Sequence, residues 1–182
     1  MEVIKAIKER RSIRRYKEDP VSESALTEVL EAARWAPSWA NTQCWKFIVV
    51  KNPDLKRNLA GTLPPGNPAL SSFTEAPVVI VACAQLAKAG YFKGKAVTDK
   101  DDWCMFDVAL AMQNLTLAAY SKGLGTVHVG FFDAKAVSQI LEVPEGVVVV
   151  EMTPLGYPDG EAKATSRKEL SEFIFYEKFG VR

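Results

Sequence analysis

Apolar positions along this chain follow two periods, one helical and one typical of buried strands. Apolar residues recur at helical spacing from Leu26 to Ala33, after Ser22, a residue type that favours the N-cap of a helix. Three short apolar runs predict buried strands, at 45–50, 78–82 and 147–150. Interleaved helices and strands of this kind predict an α/β or α+β sandwich.

Capping residues and apolar spacing predict four further elements. They are a first helix with Val3, Ile4 and Ile7 on one face, a helix from an Asp54 cap to Gly61, a strand at 125–129, and a helix from an Asp133 cap to Glu142. Segment 62–68 contains three prolines and is predicted to be a loop. Segment 85–100, with two glycines and four lysines, has two interpretations, a mobile lid or a variable surface loop.

Segment 101–122 is the longest periodic part of the chain, and Gly123 follows it in a C-cap position. Its apolar side chains surround the helix instead of forming one stripe. A helix that is apolar all round must be buried all round, and in so small a chain this predicts coverage by a second copy. Aromatic residues near the C-terminus also need a surface to cover, and these are Phe173, Phe175, Tyr176 and Phe179. The sequence therefore predicts a homodimer.

The loop before the first predicted strand carries candidate binding groups. Pro37 ends the preceding helix because it cannot continue the backbone hydrogen bonds. Four small polar side chains follow it: Ser38, Asn41, Thr42 and Gln43. Loops held between rigid elements often carry binding groups, and an ordinary helix-to-strand connection is the alternative.

The composition argues against several classes of partner. The chain has 23 Lys and Arg against 22 Asp and Glu, so a general role at nucleic acids or membrane surfaces is not indicated. No apolar run approaches the roughly 18 residues of a membrane span, and the first segment is predicted to be an amphipathic helix and not a signal peptide. We therefore expect a soluble, cytoplasmic protein with a single domain over residues 1–182.

Three cysteines and one histidine are the candidates for metal binding or nucleophilic catalysis. Cys44, Cys83 and Cys104 are widely spaced without a C-x-x-C pair, which argues against a disulfide framework or a zinc site. Cys83 and Cys104 lie among apolar residues and are predicted to be buried thiols. A multi-histidine metal site is excluded because His128 is the only histidine. A nucleophile pair of Cys44 and His128 stays open, although no third group that would orient it is identifiable.

An arginine-rich segment is the main candidate for anion binding. Four of the six residues from Arg10 to Arg15 are arginines, and Ser12 adds a hydroxyl donor. Ile13 and Tyr16 are expected to anchor the segment to the core. Guanidinium groups held in this way suit a phosphate monoester, through charge-assisted hydrogen bonds of about 1.5 to 3 kcal/mol each. The alternative is a solvated basic face.

Six motifs, in order along nearly the whole chain, resemble those of the FMN-dependent nitroreductase family. They are R-R-S-I-R-R-Y from Arg10, A-P-S-W-A-N-T-Q-C-W from Ala36, the A-P-V-V-I-V strand, K-G-L-G-T ending at Thr126, H-V-G-F-F-D from His128 and P-L-G-Y-P from Pro154. The resemblance implies an α+β fold, a nitroreductase-like α/β/α sandwich around a mostly antiparallel sheet. It also implies a homodimer with exchanged C-terminal segments and two FMN sites at the interface.

The resemblance assigns residues to the cofactor. Positions that hold the FMN phosphate match Arg10, Ser12, Arg14 and Arg167, with Arg11 nearby on the ribityl side. The loop that the partner subunit lays against the isoalloxazine matches Pro37, Ser38, Trp39 and Asn41, and Gln43 matches a polar contact to the ring. Gly130 and Phe131 match the turn whose backbone N–H faces flavin N5, and Asn67 is a further candidate. Two departures, Cys44 for proline and Trp39 for a smaller residue, would alter the wall of the substrate pocket.

The activity implied by the resemblance is that of an FMN-dependent NAD(P)H oxidoreductase. Hydride would pass from NADH or NADPH through flavin N5 to a nitroaromatic, quinone-like or related oxidised acceptor, with ping-pong kinetics. No protein acid, base or nucleophile is required, because the cofactor carries the chemistry. The alternatives are a non-catalytic FMN carrier, a specialised relative such as a flavin-fragmenting benzimidazole synthase or a reductive dehalogenase, and a flavin-free protein whose arginines bind RNA or another polyanion.

Overall fold

A four-stranded antiparallel sheet with helices on both faces forms the centre of the computed structural model, which describes residues 2–181. The helices are α1 (Val3–Glu9), α2 (Glu23–Arg34), α3 (Pro53–Ala60), α4 (Ser72–Glu75), α5 (Cys104–Ser121) and α6 (Ala134–Ile140). The strands are β1 (Trp45–Val50), β2 (Val78–Gln85), β3 (Tyr91–Phe92), β4 (Lys95–Ala96), β5 (Gly125–Thr126) and β6 (Val147–Gly156). Single turns of 3-10 helix cover Trp39–Asn41 and Leu170–Glu172.

The strand order in the main sheet is β1-β2-β6-β5, and each neighbouring pair is antiparallel. The central strand β2 is buried on both faces because its side chains alternate between two hydrophobic clusters. Ile80 packs in the cluster that includes α2 and α5, whereas Val79 and Val81 pack in the cluster that includes α3, α4 and α6. This arrangement confirms the predicted α+β class with a mostly antiparallel sheet.

Three N-terminal helix caps were predicted, and two of them are observed. The Ser22 hydroxyl accepts a hydrogen bond from the backbone N–H of Ala25, and the Asp133 carboxylate accepts one from Ala136. The third prediction was wrong, because Asn52 and not Asp54 caps α3. Asn52 Oδ1 accepts hydrogen bonds from the backbone N–H groups of Asp54 and Leu55. Pro53, which has no backbone N–H, occupies the first helical position.

Two strand predictions differ from the structure. The run 45–50 forms β1, but β1 lies at the edge of the sheet, so Lys46 and Val49 are exposed. The predicted strand 125–129 is too long. Only Gly125–Thr126 pairs as β5, and Val129 makes a separate bridge to Met152 on the same neighbouring strand.

Segment 85–100 is an ordered excursion that contains the β3–β4 hairpin. Trp103 holds its base, because its backbone N–H donates to the Ala89 carbonyl at 3.1 Å and its indole N–H donates to Thr98 Oγ1 at 2.8 Å. The choice between a lid and a surface loop stays a prediction.

Three apolar surfaces remain uncovered in the single chain. On α5, Val108 and Met112 are fully buried, whereas Met105 is 66% exposed, so burial on all sides is not achieved within one copy. The predicted apolar face of α1 is exposed as well, and Ala6 is the one buried residue of the helix. The aromatic C-terminal segment ends in a Phe179 side chain that is 92% exposed.

None of the described helices is long and apolar enough to span a lipid bilayer.

Candidate functional site

The arginine-rich segment leaves α1 and runs beside β5, where the backbone fixes its position. The Ile13 N–H donates to the Thr126 carbonyl at 2.9 Å, and Ser12 forms a parallel bridge with the same residue. Tyr16 is buried, and its hydroxyl donates to the Ile13 carbonyl at 2.7 Å. Burial, the largest influence, raises the pKa of Tyr16 well above its ordinary value. Ile13 and Tyr16 therefore anchor the segment as the sequence predicts.

The four arginines of this segment have different partners. Arg15 forms an ion pair with Asp159 at 3.2 Å, and the Arg11 guanidinium donates to the backbone carbonyls of Lys8 and Arg10. Within residues 2–181, no carboxylate lies in ion-pair range of Arg10 or Arg14. These two guanidinium groups are therefore not neutralised by an ion pair and are candidates to bind an external anion.

Arg10 and Arg14 line two adjoining cavities. Arg14 borders a cavity of about 330 Å³ together with Ser12, and Arg10 and Arg11 border one of about 170 Å³ whose wall includes Thr116 and Tyr120. The two cavities share three wall residues: Ile13, Gly160 and Ala162.

Arg14 also lines a third cavity, of about 220 Å³, where it meets the predicted flavin turn. Asn67, Gly130 and Phe131 are in the same wall, and Asn67 Nδ2 donates to the Phe131 carbonyl at 3.4 Å. A Cβ built at Gly130 would have no neighbouring atom within 4 Å, so the space beside this backbone is open. The structure thus brings Asn67, a candidate contact to the flavin ring, together with the predicted turn.

The polar loop before β1 has an unusual backbone. Ala40, Asn41 and Gln43 have φ values of 44°, 56° and 48°, in the left-handed region that non-glycine residues rarely adopt. Inside the loop, Ser38 Oγ accepts from the Gln43 N–H at 3.0 Å, and Gln43 Nε2 donates to Asn41 Oδ1 at 3.1 Å. Pro37, at its start, is exposed, and Trp39 is half-buried.

A buried carboxylate that the sequence interpretation missed lies under this loop. Asp107 of α5 is fully buried and accepts hydrogen bonds from the Trp39 backbone N–H at 2.9 Å, Thr42 Oγ1 at 3.2 Å and Cys44 Sγ at 3.6 Å. One signal could have identified it, since Asp107 is the only charged residue among the 18 residues of α5. A charge in an otherwise apolar helix requires local partners.

The open alternative of a Cys44 and His128 nucleophile pair is wrong. Burial and the nearby Asp107 carboxylate raise the pKa of the Cys44 thiol to about 12, which disfavours the reactive thiolate. The His128 imidazole is engaged elsewhere, with Glu151 at 2.7 Å and Thr116 at 3.3 Å. Cys83 and Cys104 are buried as predicted, and burial raises the pKa of each to about 11.

The candidate residues of one chain fall into separate groups. Asp107, which holds the polar loop, precedes Tyr120 at the Arg10 cavity by 13 positions on α5, a distance of about 20 Å along the helix axis. Arg167 is separate from both groups, on the exposed C-terminal segment, where its guanidinium donates to Thr165 and Ser166. It lines none of the three arginine cavities.

Comparisons with known proteins give a consistent result. The sequence profile of the Nitroreductase family matches residues 7–63 and 65–157. A Methanothermobacter thermautotrophicus protein described as a candidate NADH dehydrogenase/NAD(P)H nitroreductase is 35% identical over 164 residues, which cover 87% of this chain and 78% of that protein. A crystal structure of a nitroreductase family protein from Clostridium novyi NT has a TM-score of 0.77 and 30% identity, with 100% and 96% of the two chains covered. An FMN-dependent nitroreductase from Clostridium difficile R20291 has a TM-score of 0.81 and 27% identity, with 97% and 100% covered.

Proposed function

This chain belongs to the Nitroreductase family, and from that premise we propose that it is an FMN-dependent NAD(P)H oxidoreductase. When bound, FMN would supply the redox chemistry for hydride transfer from NADH or NADPH to a nitroaromatic, quinone-like or related oxidised acceptor, with flavin N5 as the reactive position. One observation carries the proposal. Arg14, which has no carboxylate partner among the described residues, lines the same cavity as Asn67 and the open Gly130–Phe131 turn.

The residues present fit the two chemically different ends of FMN. A phosphate requires cations and hydroxyl donors, which Arg10, Ser12 and Arg14 provide on a segment fixed by backbone hydrogen bonds to Thr126. A flat ring requires close approach to a backbone N–H, and the space beside Gly130 permits this approach because no side chain occupies it.

The polar loop fits a role in a second copy of the chain. The loop is hydrogen-bonded to Asp107, about 20 Å along α5 from Tyr120 at the Arg10 cavity, so a homodimer would let the loop of one subunit cover the site of the other. The exposed faces of α1 and α5 and the aromatic C-terminal segment support this assembly, with the C-terminal segments exchanged and Arg167 brought to the partner's phosphate site. In this proposal residues 1–182 form a single domain.

The protein has simple tasks in this reaction. Arg10, Arg14 and Ser12 retain the cofactor, and the Gly130 backbone N–H orients the ring edge. Donor and acceptor would use the same face in turn, so we expect ping-pong kinetics. Double-reciprocal plots of initial rate against donor concentration, measured at several acceptor concentrations, should give parallel lines. Intersecting lines would contradict the shared site.

A visible absorption spectrum of the purified protein, followed by anaerobic addition of NADH and of NADPH in separate samples, tests the proposal directly. We expect a flavin spectrum that at least one nicotinamide bleaches and that an added quinone restores. Bound FMN that neither donor bleaches would identify a non-catalytic carrier. A colourless protein that does not take up added FMN would overturn the proposal.

A further inference from the structure

We propose that Asp107 is a positioning residue, which holds loop 38–43 in the conformation that presents Asn41 and Gln43 to the flavin ring. The inference rests on the proposed function for its ligand. The hydrogen bonds between Asp107 and the loop do not involve the ligand, and so the two can be tested apart.

The burial of Asp107 shows that its partners are specific. The residue is fully buried, and a carboxylate removed from water must be compensated by hydrogen bonds or by a cation. Within residues 2–181, no Lys, Arg or His lies in ion-pair range of it. Its hydrogen-bond donors are the backbone N–H of Trp39, the hydroxyl of Thr42 and the thiol of Cys44. All three lie in or next to the polar loop.

The position of these donors explains what the carboxylate does. Trp39 and Thr42 flank Ala40 and Asn41, the two adjacent residues with left-handed backbones, and Cys44 follows the third such residue, Gln43. Left-handed backbones in non-glycine residues persist where the surrounding contacts fix them. Two carboxylate oxygens that bind the chain on both sides of Ala40 and Asn41 provide such a constraint.

The side chains aimed by this backbone are the ones assigned to the flavin. Gln43 Nε2 donates to Asn41 Oδ1, so the two amides form one unit whose direction follows the loop backbone. If the loop left this conformation, the unit would move even though neither amide contacts Asp107. A ligand that binds only the ordered loop would then lose apparent affinity in proportion to the fraction of ordered loops.

The test compares Asp107→Asn with the wild-type protein. The amide keeps the shape of the carboxylate but loses the charge and replaces one acceptor with a donor, so the Thr42 hydroxyl must turn from donor to acceptor, the Cys44 thiol loses its acceptor, and the bond from the Trp39 N–H loses its charge assistance. We expect amide hydrogen exchange of residues 38–43 to become faster in the cofactor-free protein. In the reconstituted protein we expect FMN affinity to fall about tenfold to a hundredfold, the effect of losing a charged hydrogen bond.

Riboflavin separates this effect from a phosphate contact. Asp107→Asn should lower riboflavin and FMN affinity by the same factor, because the loop contacts the ring that both ligands share. The visible circular dichroism of the bound flavin should also change, because the ring would lose its fixed amide neighbours. A change confined to FMN would instead place the defect at the phosphate.

Two further variants keep the test decisive. Val108→Ala removes a fully buried side chain next in sequence on α5 and should lower stability without a change in loop exchange or flavin dichroism. Thr42→Val removes one hydrogen-bond donor to Asp107 from the loop side. This variant should show the same increase in amide exchange as Asp107→Asn, but a smaller one. It therefore tests the inference even if Asp107→Asn does not fold.

The outcomes distinguish the two proposals. Unchanged exchange of residues 38–43 in both loop-directed variants would overturn the inference about Asp107, whatever the cofactor. Faster exchange with wild-type flavin affinity and dichroism would also overturn it, since the loop would then not position the ring contacts. A wild-type protein that binds no flavin would overturn the proposed function, while the exchange measurement would still report on the control of the loop by Asp107.

Discussion

The fold of this protein determines which charged side chains form ion pairs and which remain able to bind a ligand. Arg14 and Arg15 are neighbours in sequence, yet the Arg15 guanidinium pairs with Asp159 whereas Arg14 faces the Gly130 cavity without a carboxylate partner among the described residues. The arginine-rich segment could be predicted because its anchors, Ile13 and Tyr16, are local. Asp107 could not be assigned a partner from sequence, because its donors lie 63 to 68 positions away.

Arg14 and Arg15 are therefore expected to contribute differently to FMN binding. Arg14→Ala should weaken FMN binding by about 1.5 to 3 kcal/mol, because it removes a charged hydrogen bond to the phosphate. Riboflavin, which lacks the phosphate, should bind the variant as it binds the wild type. Fluorescence titration of the cofactor-free protein with each ligand measures both.

Arg15→Ala is the matched control for this measurement. Its guanidinium is already paired at an exposed position, where ion pairs contribute little, so FMN affinity should stay within about 0.5 kcal/mol of wild type. Equal losses in the two variants would show that general positive charge, and not the geometry of Arg14, retains the cofactor.

Capping residues and apolar spacing correctly predicted most of the segments that form helices and strands. They did not predict where each element lies in the fold. The Ser22 and Asp133 caps were readable because capping residues and the helices they start are adjacent in sequence. The edge position of β1 could not be predicted from the sequence, because strand order depends on pairing with distant segments. An apolar run such as 45–50 can form either an edge strand or a central strand.

The contact between β5 and the arginine-rich segment gives a prediction for these elements. A Cβ at Gly125 would lie 2.6 Å from Ile13 Cγ1 and 2.7 Å from Ile13 Cβ, so Gly125→Ala must displace the segment that carries Arg10 and Arg14. We expect a loss of about 1 to 3 kcal/mol in the free energy of unfolding from overpacking, together with weaker FMN binding. Urea unfolding and ligand titration measure the two effects.

Gly61→Ala provides the comparison for this variant. Gly61 has φ of −64°, which any residue adopts, and the nearest atom to an added Cβ is the Asn58 carbonyl oxygen at 3.3 Å. Its FMN affinity should equal that of wild type. Wild-type affinity in Gly125→Ala as well would show that the arginines do not depend on the position of Ile13.

For the whole molecule, the sequence predicted the fold class, and the resemblance predicted the family. The structure adds the location of the uncovered apolar surface. The prediction that α5 is buried all round follows from its composition, but one chain covers only the face with Val108 and Met112. Coverage of the other face would require a second molecule, and a single chain does not contain its contacts.

Charge placed on the uncovered face of α5 tests the proposed homodimer. Met105→Glu should weaken dimerisation by about a hundredfold or more, since the interface would bury an unpaired carboxylate. Sedimentation velocity across a concentration series measures the dissociation constant. Phe92→Glu, on the β3–β4 hairpin, replaces a side chain of similar exposure, 63% against 66%, and should leave the assembly unchanged.

A monomeric wild-type protein, or equal dissociation constants for the two variants, would contradict this interface.

The separation of the arginine cavities from the polar loop along α5 has a genetic consequence. If each catalytic pocket combines the arginines of one subunit with the loop of the other, two alleles damaged in different halves can complement each other. A heterodimer of an arginine-defective chain and a loop-defective chain has one pocket with both defects and one with neither. Complementation would then restore up to half of the pockets in each such heterodimer, although neither parental homodimer has an undamaged one.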